Sequence, residues 1–175
     1  LIEMLVVLAI MGLLSVTLIL NFRSTARNQT ALQRGAFIVV AAIRQAQTLA
    51  VASSKFSGES PCGYGVHYKN PALAVVYFGS KPNPTDLCGS QNKNFSSPPD
   101  REFSSIIFPD PNMEFKNSFP DIFFEPPDPR TYINNDPSLA LAPANIIIGF
   151  TERSCSVPTD CKTIQVYPSG RIDIQ

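Results

Sequence analysis

Five side chains in this sequence can do chemistry: the carboxylate of Glu3, set in the apolar run LIEMLVVLAIMGLLSVTLIL, and the thiols of Cys62, Cys88, Cys155 and Cys161. Cys155 and Cys161 enclose SVPTD and are flanked by strand-like runs ending at Thr151 and starting at Thr163, so a disulfide across the end of a hairpin is geometrically easy. Cys62 and Cys88 then pair and close a loop around the first hairpin. Each bridge would contribute about 2–4 kcal/mol. A zinc site built from all four thiols is the alternative, but no C-x2-C pair exists and His67 is the one histidine. Disulfides would place this part of the chain outside the cytoplasm.

Catalysis finds little to use. Glu3 as a general acid would need a partner acid or base, and His67 stands in an alternating strand where packing or solvent is the expected role. The Gly63-Tyr64-Gly65 triplet has neither a following helix nor phosphate-binding spacing. Asp86, Asp110 and Asp136 fall in loops and could ligate calcium, yet they lack the DxDxDG spacing and read as solvated loop acids. Asn28-Gln29-Thr30 and Asn94-Phe95-Ser96 match the glycosylation sequon by pattern alone. No catalytic residue, metal or cofactor is expected, and the chain does not read as an enzyme.

Two kinds of element must position these residues. Met4 to Leu20 is uninterrupted and apolar, with only Ser15 and Thr17 as polar members, whose hydroxyls can bond back to helix carbonyls. As a helix this run is about 26 Å long, against about 30 Å for the hydrocarbon core of a bilayer. A cleaved signal peptide fits less well, because no basic n-region or small-residue cleavage site accompanies it. The chain reads as beginning partway through something longer. Further on, Leu32, Ala36, Val39 or Val40, Ile43, Ala46 and Ala50 recur at steps of three and four, on one helix face, with Arg34, Gln45 and Thr48 turned away. No proline precedes Pro61, so one helix of about 80 Å could run from Leu1 to about Ser54.

All 16 prolines lie beyond that point, and the pattern becomes short alternating strands closed by turns. GYGVHYK and ALAVVYFG read as a hairpin with Lys69 to Ala72 at its turn; SSIIF, DIFFE, NIIIGFT, TIQVY and RIDI are further strands. The expected fold class is therefore α+β: a long N-terminal helix, apolar in its first half and amphipathic in its second, packed on a C-terminal antiparallel β-sheet body. The expected parts are residues 1–24, an apolar membrane or filament-core helix; 25–54, the amphipathic helix on the sheet; and 55–175, the disulfide-stapled β body.

Lys plus Arg equals Asp plus Glu, 14 of each over 175 residues, so net charge points to no nucleic-acid partner. The charges are nevertheless segregated. Met4 to Gly58 holds Arg23, Arg27, Arg34, Arg44 and Lys55 and no acid, while Glu59 to Gln175 holds nine basic and thirteen acidic residues. The positive-inside rule would put the Arg23 and Arg27 side in the cytoplasm unless basic residues once preceded Leu1.

The opening LIEMLVVLAIMG resembles the mature start of type IV pilins and of type II secretion pseudopilins, lacking the first two residues usual there. AIRQAQTLAV, GYGVH and SGRI are similar to the minor-pilin and pseudopilin branch. The resemblance implies a basic leader removed by a prepilin peptidase, a methylated new amine, residence in the inner (cytoplasmic) membrane, and then assembly by a dedicated machinery into an extracellular filament of copies of the chain at the cell surface. It implies assembly through Glu3, Met4, Leu5, Val6, Leu8 and Gly12, with the Glu3 carboxylate meeting the N-terminal amine of a neighbouring subunit. An ionised carboxylate in an apolar bundle needs such a partner. Many family members carry a proline near the end of the apolar run where the helix melts in the filament; Leu20 and Asn21 offer none, although Gly12, Val16, Thr17 and Ile19 could loosen it. The expected function is a structural pilin. A minor pseudopilin of a type II secretion system and a membrane-anchored DNA-binding module using the arginines are the alternatives.

Overall fold

In the computed structural model, residues 2–55, 58–81, 83, 86–126, 130–156 and 160–175 are described, without the side chains at 5, 17–26 and 90. Leu1, the side chains of Leu5, Thr17, Ile19, Leu20, Asn21 and Arg23, and residues 82, 84–85, 127–129 and 157–159 lie outside the described residues.

The chain enters as α1 (Ile2–Val51), in which no proline interrupts the hydrogen-bond ladder. The side chains described on α1 form a short stretch up to residue 16 and a longer one over 27–51, and the two behave differently. Leu32, Ala36, Val39, Val40, Ile43, Ala46 and Ala50 are buried and form part of the main hydrophobic core. Arg34, Gln45 and Thr48 are exposed on the opposite side, Thr48 donating its hydroxyl to the Arg44 carbonyl. From Ile2 to Val16 every described side chain is exposed.

The rest is strand: β1 (Gly63–Asn70), β2 (Leu73–Gly79), β3 (Arg101–Ile106), β4 (Met113–Phe115), β5 (Ile122–Glu125), β6 (Arg130–Ile133), β7 (Ala144–Phe150), β8 (Cys161–Val166) and β9 (Ile172–Ile174). They form two antiparallel sheets, one of five strands ordered β3-β2-β1-β5-β6 and one of four ordered β4-β7-β8-β9. This corrects the expected architecture of one long N-terminal helix packed on one antiparallel sheet. The molecule is mostly two sheets, and among the described residues the helix packs on their core from Ala31 to Ala50. The physical reason lies between β6 and β7. Asn134 and Asn135 take positive φ values of 51° and 65°, and Pro137 and Pro143 lack the N–H a ladder needs, so β7 does not continue the first sheet after β6 but pairs with β4, which the chain had already placed in the second sheet between β3 and β5.

The β1–β2 hairpin turns at Asn70, whose side chain accepts the Ala72 N–H at 2.9 Å, and pairs Val66 with Val76. Its glycines are there for packing. A Cβ on Gly65 would lie 2.6 Å from the Tyr77 ring and 2.7 Å from the Ile122 carbonyl, so β1 and β5 approach more closely than any side chain allows. Two strands have no counterpart among the expected ones, β4 and β6, and β3 starts three residues before the expected SSIIF run, leaving Ile107 exposed.

Candidate assembly surface

Ile2 to Val16 carries ten large apolar side chains that are exposed to between 46% and 81%, among them Met4, Val6 and Leu8. Helical geometry distributes them around the whole circumference. Such a continuous apolar surface exceeds what a soluble monomer ordinarily presents. Ser15 satisfies its hydroxyl internally by donating to the Met11 carbonyl at 2.8 Å, so it adds no polar demand to this surface. A Cβ at Gly12 would meet nothing within 4 Å; the position is an open notch on the rod.

Glu3 stands in the first turn of α1, exposed, and among the described residues it has no hydrogen bond or ion pair. Its position at a helix N-terminus suits a negative charge. Burying the rod in any apolar environment would strip water from this carboxylate, so a cation or donor must come from outside the described chain. Among the described residues no helix is long and apolar enough to cross a membrane.

The four cysteines form two bridges in the β body. Cys62 is bonded to Cys88, with Cα atoms 5.1 Å apart, and Cys155 to Cys161, at 5.3 Å. The first joins the start of β1 to the short 3₁₀ turn Cys88–Ser90, which stretches the 80–100 loop over the five-stranded sheet. The second closes the β7–β8 hairpin.

The 80–100 loop is held by a polar cluster with no local sequence signal. Lys93 is 3% exposed; its ammonium donates to the Cys88 carbonyl and to Glu125 Oε1 at 2.9 Å, and lies over the rings of Phe123 and Tyr132. Tyr132 donates to the other carboxylate oxygen at 2.6 Å, and Tyr77 donates to the Lys93 carbonyl. Burial pushes the Glu125 carboxyl up, but the hydrogen bonds from Tyr132 and Lys93 and the charges of Lys93 and Arg130 outweigh it, so the net displacement is downward. Burial likewise raises the Tyr132 phenol, and the adjacent Glu125 raises it further.

His67 lies beside this loop, its Nδ1 2.6 Å from Asp121 Oδ1 and its ring stacked on Phe95 at 4.6 Å. Asp121 also accepts the Phe95 N–H at 2.7 Å, which makes the pair a clamp between β1, β5 and the loop. The loop acids are each engaged by their own turn. Asp86 accepts from Asn83, Asp110 from the Asn112 N–H, and Asp136 from the Ser138 N–H. Among the described residues no three His, Cys, Asp or Glu side chains gather as metal ligands.

No family model, curated protein or solved structure matches this chain.

Proposed function

We propose that the chain is a structural subunit of an extracellular filament of the type IV pilus kind, assembling through the helix at its start. The observation that carries this reading is the exposed apolar surface from Ile2 to Val16 with one carboxylate, Glu3, in its first turn. Burying one large side chain is worth about 1.5–3 kcal/mol, and ten such side chains give association a large driving term. Lipid tails and neighbouring helices cover that surface about equally well, so a subunit held in the inner membrane can move into a filament and back without a large net change. The Glu3 carboxylate then supplies what apolar burial cannot: it selects a neighbour whose amine sits at one height along the rod and so sets the register. Two disulfides in the body are in keeping with life outside the cytoplasm. The partners on this reading are copies of the chain, the assembly machinery, a prepilin peptidase and the inner membrane.

The test is the composition of sheared surface filaments from cells with and without the gene. Filaments built mainly of this chain, and lost with the gene, are the expected result. Substoichiometric chain in a secretion filament would favour the minor pseudopilin. Absence from any filament, with DNA affinity falling steeply with salt, would favour the anchored DNA-binding module.

A further inference from the structure

We draw no further inference here: the strongest candidate, the exposed surface patch of Phe37, Ala41 and Val51 on the face of α1 turned away from the sheets, is an unpartnered helix face, and nothing in the structure shows what covers it.

Discussion

The Lys93 ammonium lies 2.9 Å from the Glu125 carboxylate, thirty-two residues away in sequence, and this contact ties the 80–100 loop to the five-stranded sheet. Lys93→Met keeps the stem's packing and removes the charge, leaving Glu125 with the Tyr132 hydroxyl and the charge of Arg130, and a Cys88 carbonyl without its donor. Breaking a buried pair costs about 3 kcal/mol at the low end of what such losses show. For a chain of this size that lowers the melting temperature by about 6–12 °C. The double variant Lys93→Met with Glu125→Leu should recover most of the loss, because neither charge is then stranded. Equal destabilisation in the single and double variants, measured by thermal denaturation, would show that the charge pair is not the source.

The same cluster sets part of the acid response. Glu125 is held below its ordinary value of 4.5 by Tyr132 and Lys93, which overcome the effect of burial. In the interval just under pH 4.5 the unfolded chain therefore binds a proton that the folded chain does not, so stability rises with pH there. The contribution is present above the ordinary value and lost as pH falls through the folded one. Asp100 works in the opposite sense: burial raises it, the N–H groups of Ser96 and Ser80 only partly offset this, and its share of stability is lost as pH rises. Melting curves of the unaltered chain and Glu125→Gln isolate the first effect. The gap between them should be widest near neutrality and narrow as pH drops below 4.5; a constant gap would refute the assignment.

The two disulfides should contribute unequally. They close loops with sequence separations of 26 and 6, and loop entropy in the unfolded chain makes the longer bridge worth about 1 kcal/mol more. Replacing Cys62 and Cys88 together by serine should thus lower the melting temperature by about 2–4 °C more than replacing Cys155 and Cys161. Loss of the first bridge also frees the loop that Lys93 anchors, so hydrogen exchange there should rise. The reverse order of melting temperatures would mean that native packing around the short hairpin outweighs loop entropy.

The helix face from Leu32 to Ala50 was legible because three- and four-residue steps admit one geometry, and the first hairpin because alternation and an Asn-Pro turn agree. The division into two sheets was not. Strands alternate in the same way whichever sheet they join, and nothing local in NIIIGF says that it pairs with Met113–Phe115 rather than with the strands before it. β4, with three residues, is shorter than any periodicity can register, and β6 has only RTYI to announce it. Lys93 with Glu125 and His67 with Asp121 are contacts between residues 32 and 54 positions apart, each created by strand order. By contrast, the apolar rod and its acid were legible at once, because extreme composition survives any tertiary context.

That acid gives the last prediction. Glu3 is exposed, lies in the first turn of α1, and has no partner among the described residues, so replacing it should not disturb the core, whose buried helix members among the described residues are Leu32 to Ala50. If a neighbour's amine is its partner in the filament, Glu3→Ala removes the attraction and strands a cation in an apolar bundle, a loss of about 3–5 kcal/mol for a buried pair. The rod itself becomes more apolar, so the variant should accumulate in the inner membrane at near-normal amounts, with its body melting as before, while filaments built only from it are absent or sparse. Glu3→Gln separates charge from shape, since it keeps size and hydrogen bonding; a defect smaller than that of Glu3→Ala would assign the difference to packing. The two variants are to be compared by counting filaments on micrographs and by quantifying the chain in membrane fractions. Wild-type numbers and lengths of Glu3→Ala filaments would remove charge pairing as the role of this residue and leave recognition by the processing enzymes as the reason for an acid in that turn.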